Sequence, residues 1–206
     1  MKKIKYAFLL LLVVCQLQAE VPEPYRSLHV LPFDGQGWFG NDLPLKNIIH
    51  GMPIKTVLEV GSWLGCSTRF FATELPEDGK VYAVDTWLGS EEELLHQVDP
   101  RLPFLYQQFL SNVIHAGLTH KIIPVRMKSL EAAAALNVKA DLIYLDGAHD
   151  TVNVFNDILA WYPHLSEYGI MCGDDWMWPT VEVAVREAAK ILNKKVNSYY
   201  NFWWYE

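Results

Sequence analysis

From residue 54 to residue 193 short apolar or β-branched runs alternate with longer amphipathic ones, and this alternation narrows the available folds more than any other feature. The runs IKTVLEV (54–60), KVYAVD (80–85), KIIPVR (121–126), ADLIYLD (140–146) and YGIMCGDD (168–175) predict strands, and 66–75, 103–116, 129–136, 151–164 and 179–193 predict the helices between them. Such alternation implies an α/β fold: a mostly parallel, doubly wound sheet with helices on both faces. The strands read as nearly continuous apolar runs, as expected where both faces are covered. Pro179 at a helix start, and Gly79, Gly117 and Gly169 at turns, punctuate the elements where chain geometry wants them. A first helix is predicted at 42–50, and the aromatic end KVNSYYNFWWYE (195–206) predicts one or two last strands. Residues 20–40, rich in Pro and Gly and without periodicity, read as an irregular arm before a domain spanning 41–206. The segment 86–103 is longer than an ordinary connection and is a candidate substrate-side loop.

A chain of 206 residues, 51% hydrophobic and 20% charged, is sized for one domain with a sizeable core. Its start, MKKIKYAFLLLLVVCQLQAE, orders a basic stretch, a short apolar run and a small residue at Ala19, which reads as a signal peptide over 1–19 and predicts export to a periplasmic or extracellular space if the leader is cleaved, and a cytoplasmic protein otherwise. The apolar run is too short to span a bilayer. Removing 1–19 takes away three lysines and no acids, so 17 basic residues become 14 against 24 acidic ones, a net charge of −10. That surface is a poor partner for nucleic acid. Cys66 and Cys172 in the mature chain suggest neither a disulfide framework nor a zinc site.

In an open parallel sheet, ligands bind beyond the carboxyl ends of the strands. Glu59, Asp85, Asp146, Asp174 and Asp175 all fall at or just past such ends. The first strand runs into EVGSWLGCSTRFF, where Gly61 and Gly65 allow a tight turn and close approach of a ligand to the backbone. The segment lacks the G-x-G-x-x-G dinucleotide fingerprint and the P-loop ending. Asp85, 24 residues after Gly61 (85 − 61), suits a hydrogen bond to ribose hydroxyls, and Glu59 suits a nearby ammonium group.

The blocks VLEVGSWLGCST, VYAVDTW, DLIYLDGAHD and GIMCGDDW together resemble the Rossmann-like S-adenosylmethionine-dependent methyltransferases, in the family-24 group of metal-dependent sugar and antibiotic O-methyltransferases and, more distantly, the catechol O-methyltransferases. The resemblance covers about residues 40–176. It implies that Glu59, Gly61, Ser62 and Gly65 hold the methionine part of S-adenosylmethionine, that Asp85 holds the ribose with Trp87 beside it, and that Ser129 contacts the adenine edge. It further implies that Asp146, Asp174 and Asp175, separated by 28 and 29 residues (174 − 146, 175 − 146), bind Mg²⁺. His149 stands where the catechol enzymes carry a catalytic lysine, which implies an imidazole base.

The chemistry stands beside the resemblance. Three carboxylates with open positions suit a hard octahedral cation that orients a substrate's hydroxyls. His149 then takes the hydroxyl proton, and the oxygen attacks the sulfonium methyl group in line. The expected partner is a hydroxylated small molecule or sugar. Two other readings fit the same fold: a secreted binding protein without catalysis, and an NAD-dependent oxidoreductase, the latter disfavoured by the missing fingerprint. Trp176, Trp178, Trp203 and Trp204 are candidates to wall a ring-binding pocket or to fill the core. The histidines at 29, 50, 96, 115, 120 and 164 show no ligand spacing and read as surface or satisfied core residues.

Overall fold

The computed structural model describes residues 21–90, 96 and 98–206; the leader reading of 1–19 lies outside these described residues. Five strands, β1 (Thr56–Val60), β2 (Lys80–Asp85), β3 (Ile122–Arg126), β4 (Ala140–Leu145) and β5 (Leu165–Gly173), pair in parallel, and a terminal hairpin of β6 (Val196–Tyr199) and β7 (Phe202–Tyr205) adds antiparallel to β5. The sheet order is β3-β2-β1-β4-β5-β7-β6. It is the expected mostly parallel, doubly wound Rossmann-like sheet, mixed only at the hairpin edge. Among the described residues, six α-helices accompany the strands: α1 (Asp42–Gly51), α2 (Cys66–Glu74), α3 (Leu105–His115), α4 (Ser129–Ala135), α5 (Thr151–Trp161) and α6 (Pro179–Leu192).

Alternation along the strands divides the core in two. Val57, Leu142, Tyr144 and Cys172 point to the face covered by α1, α2 and α3, where Phe71 and Phe109 are fully buried. Leu58, Val60, Ile143 and Met171 point to the other face, against α5 and α6, where Ile158 and Trp161 are fully buried. Burying each such side chain is worth about 2 to 3 kcal/mol.

Two predicted helices are shorter than their periodicity suggests. The stretch 103–116 opens as a 3₁₀ turn over Leu102–Phe104, and 151–164 closes as one over Tyr162–His164. Pro163 lacks the N–H that would continue α5, whereas Pro103 lies in a first turn, where no N–H partner is needed. The fifth strand begins at Leu165, three residues earlier than predicted.

The irregular arm is fastened to α3: the amides of Leu31 and Asp34 donate to Ser111 Oγ and Asn112 Oδ1, both at 3.0 Å, and Asn112 Nδ2 donates back to the Asp34 carbonyl at 2.7 Å. This carries Gly37 and Trp38 to the carboxyl ends of the strands. Between β1 and β4 the connections reverse direction across the sheet, so the loops after these strands diverge and leave a crevice. Among the described residues, no helix is long and apolar enough to cross a membrane.

Candidate active site

Gly61 leaves β1 at φ 89°, and a Cβ there would lie 1.9 Å from the Asp146 carbonyl oxygen. Only glycine lets the ends of β1 and β4 come this close. Gly65 caps α2 at φ 77° against the Phe109 ring. The loop between them is tied down by Asp85. Its Oδ2 accepts from the amides of Ser62 and Trp63, both at 2.9 Å, and its Oδ1 from the Trp87 amide at 2.7 Å. Asp85 still lines the crevice, but it first organises the glycine loop.

Glu59 and Trp87, both expected to touch a cofactor, face elsewhere. Period-2 alternation turns Glu59 to the same face as Val57, where it is 0% exposed. There it accepts from Ser62 Oγ (2.8 Å), Ser67 Oγ (2.5 Å) and Thr68 Oγ1. Burial outweighs these bonds and pushes its carboxyl up to about 7. Trp87 is 1% exposed and packs on Tyr106 and Phe109, with its indole N–H on the Trp63 carbonyl at 2.9 Å. It braces the core beneath the loop and does not line the crevice.

The crevice has two chambers. One, of about 480 Å³, lies over the ends of β1, β2 and β3 and is lined by Asp85, Thr86, Met127, Ser129 and Asp157. The other, of about 370 Å³, lies over β4 and β5 between Trp38, Trp63 and Trp178. Gly61, Trp63, His96, Asp146 and Gly147 border both. Asp146 therefore stands at the junction, directly after β4.

The predicted carboxylate set is reorganised. Asp146, His149 and Asp175 each offer a ligand atom within 4.8 Å of the others, and His149 Nε2 lies 2.7 Å from Asp175 Oδ2. Asp174 is turned out of this group. It is 7% exposed, its Oδ2 accepts from Tyr144 O–H at 3.2 Å, and its Oδ1 accepts from Asn201 Nδ2 and the Asp175 amide, both at 2.7 Å. The compact donor set thus pairs Asp146 and Asp175 with the His149 imidazole, and Asp174 stands outside it. The cause lies in the backbone: Asp175 at φ 60° reverses the chain after β5, so adjacent side chains diverge. Burial, then the charges of Asp174 and Asp175, push the Asp146 carboxyl well above the usual range. Burial likewise pushes Asp174 up. Such crowding favours either bound protons or a cation among the carboxylates.

Aromatic rings wall the second chamber. Trp63 stacks on His96 at 4.3 Å and 17°, Trp38 leans on both, and Trp178 stacks on His149 at 4.8 Å. Trp203, by contrast, is core. His96, read from the sequence as surface or satisfied core, is a wall residue of both chambers. Its role, like those of Trp38 and Asn201, carries no local signal, because arm, loop and terminal hairpin meet only in three dimensions. Ser129, the first residue of α4, lines the first chamber as expected, but its hydroxyl is already engaged, donating to Asp157 Oδ1 at 2.6 Å and accepting from Trp161 Nε1 at 2.8 Å. Burial pushes the Asp157 carboxyl up to about 6.

The fold is similar to that of the O-methyltransferase from Bacillus cereus in complex with SAH (14% identity, TM-score 0.59, covering 83% of this chain and 82% of that one). It is similar to cofactor-bound Rv0187 from MTB (15%, 0.61, 82% and 80%) and to the O-methyltransferase TomG of tomaymycin synthesis from Streptomyces achromogenes, in complex with SAM (14%, 0.57, 79% and 78%). No curated protein sequence matches this one. The family-24 model of the methyltransferase domain matches residues 58–176, more than half of the chain and the stretch from within β1 to just past the acidic end of β5, and the protein therefore belongs to that methyltransferase family.

Proposed function

We propose that the protein is an S-adenosylmethionine-dependent O-methyltransferase that uses a divalent cation to methylate a hydroxylated small molecule. The observation that carries this reading is the place of Asp146, His149 and Asp175: a compact donor set at the junction of the two chambers. The first chamber suits the nucleoside of the donor, with Asp85 and Ser129 on its walls. Gly61, Asp146 and Gly147 border both chambers, so the donor's methyl group and an acceptor's hydroxyl would meet at this junction. There Trp38, Trp63 and Trp178 enclose a ring-bearing acceptor and exclude water. Family membership and the resemblance of the strand-end acids to those of the catechol enzymes support the same assignment.

Two carboxylates and one imidazole fit a divalent cation, and the nitrogen donor turns the preference from Mg²⁺ toward Mn²⁺ or a similar borderline ion. A cation bound there lowers a hydroxyl's pKa and fixes the acceptor's orientation. The residues of this chain hold that ion, shape the chamber and keep Asp174 aside as a hydrogen-bonded support for the Asp175 turn. The short His149–Asp175 contact also suits an imidazole base oriented by a carboxylate, and the variants below separate the two roles.

The test is calorimetric binding of S-adenosylmethionine, together with thermal stability and methyl transfer to a panel of diols as Mn²⁺ or Mg²⁺ is titrated against chelator. The parent should gain about 2.7 kcal/mol at a hundredfold excess of ion over its dissociation constant. Asp146→Asn, His149→Gln and Asp175→Asn should lose that gain, whereas Asp174→Asn should keep it. If His149→Gln retains the gain while turnover falls roughly 10²- to 10⁴-fold, His149 is the base instead of a ligand. A parent that binds no S-adenosylmethionine refutes the reading.

A further inference from the structure

Two walls of the second chamber come from outside the frame of strands and helices. Gly37, Trp38 and Phe39 belong to the arm, and His96 follows β2 in the chain. One carboxylate joins these pieces. Asp34 Oδ2 accepts from Arg101 Nη1 at 3.2 Å, and the same guanidinium forks onto Asp99, with Nε on Oδ1 at 2.8 Å and Nη2 on Oδ2 at 2.5 Å. The Asp99 amide donates to the His96 carbonyl at 3.1 Å, which brings the His96 wall under the control of Arg101. The other oxygen works on the arm: Asp34 Oδ1 accepts from the Gln36 amide at 3.0 Å, and Gln36 Oε1 accepts from the Trp63 indole N–H at 2.8 Å. Asp34 has a firm footing for this task, because its own amide and carbonyl are both bonded to Asn112 of α3. What it holds down is the floor of the chamber. A Cβ at Gly37 would lie 2.9 Å from the Cys66 Cβ, so the arm crosses directly over the first residue of α2.

We propose that the Asp34 carboxylate is the clasp of the second chamber: it holds the arm and the His96 wall together above Cys66, and so limits the size of the acceptor that enters. Asp34 is a positioning residue, acting through Gln36 on Trp63 and through Arg101 on His96. That the occupant is a methyl acceptor rests on the methyltransferase reading above, whereas the clasp follows from the hydrogen bonds of the arm.

The experiment is alkylation of the full-length protein with iodoacetamide and with its bulkier N-naphthyl analogue, each cysteine followed by peptide mass. Cys66 lines the chamber, and Cys172, buried in the core, reports general loosening. The parent should admit the small reagent to Cys66 faster than the large one. Asp34→Ala loses both ties but keeps the backbone anchored to Asn112. The naphthyl reagent should therefore reach its Cys66 about 10-fold faster than in the parent, as the loss of hydrogen bonds to a charged group implies for a local opening, with Cys172 unchanged. Arg101→Met keeps the Gln36 tie and loses only a partly exposed ion pair, so its gain should be about threefold. Unchanged Cys66 reactivity in Asp34→Ala overturns the inference. A parallel rise at Cys66 and Cys172 overturns it too, because the whole chain has then loosened, and so does an equal gain for both reagents, which removes the size limit. Should Asp34→Ala fail to fold, Asp34→Asn preserves the Oδ1 acceptor for Gln36 and should match Arg101→Met; no gain there overturns the inference. These rates need no cofactor. A protein that shows them but binds no S-adenosylmethionine refutes the methyltransferase reading and keeps the clasp, and one that binds it with unchanged rates does the reverse.

Discussion

Glu59→Gln isolates a titration that the fold itself creates. The carboxyl is fully buried under α2 and shifts from the usual 4.5 to about 7 even though three hydroxyls donate to it. The folded chain therefore holds this proton up to about pH 7, while the unfolded chain releases it near 4.5. The associated stability is fully present below the unfolded value, declines between the two values and is gone above the folded one. At 1.36 kcal/mol per pH unit, that gap corresponds to about 3 kcal/mol. The glutamine amide has nearly the same shape and cannot ionise, so the variant escapes the decline. Urea unfolding of parent and variant at pH values from about 5 to about 8, followed by fluorescence and circular dichroism together so that coincident curves establish a single transition, measures the difference directly. Asp157 and Asp174 also have raised values, but they are present in both proteins and cancel in the difference; Asp146, raised first by burial and by Asp174 and Asp175, also feels the Glu59 charge, so its own small change adds to the difference. The variant should gain about 3 kcal/mol on the parent as the pH rises through this window. A difference that stays constant across it would show that Glu59 is ionised throughout and would refute the reasoning.

Two further substitutions probe the loop above it. Gly61→Ala must place its Cβ 1.9 Å from a backbone oxygen at φ 89°, so it should cost about 3 to 5 kcal/mol in unfolding experiments and weaken ligand binding; a loss below about 1 kcal/mol contradicts the close approach of β1 and β4. Asp85→Ala strands the amides of Ser62, Trp63 and Trp87, so it should lower stability by about 1 to 3 kcal/mol as well as ligand affinity. Weakened binding at unchanged stability would instead make Asp85 a ligand contact alone.

The order of strands and helices, the sheet edge where ligands bind and the acids gathered there are all local properties of the chain. Hydrophobic runs announce strands, glycines announce the turn after β1, and an acid after an apolar run announces a polar strand end. These signals depend on near neighbours, so they could be read before folding. Where each acid points could not. Glu59 is one residue inside a strand end, and whether it meets a ligand or the hydroxyls of α2 depends on the pleat and on what α2 brings beneath it. Asp174 and Asp175 are adjacent in sequence, yet one turns to Tyr144 and Asn201 and the other to His149, because the chain reverses between β5 and α6 and the terminal hairpin sets Asn201 beside them. Trp38, Trp63 and His96 come from three separate segments and stack only once the arm is fastened to α3. The partner of each site residue was thus decided by packing between segments far apart in the chain, which no local pattern encodes.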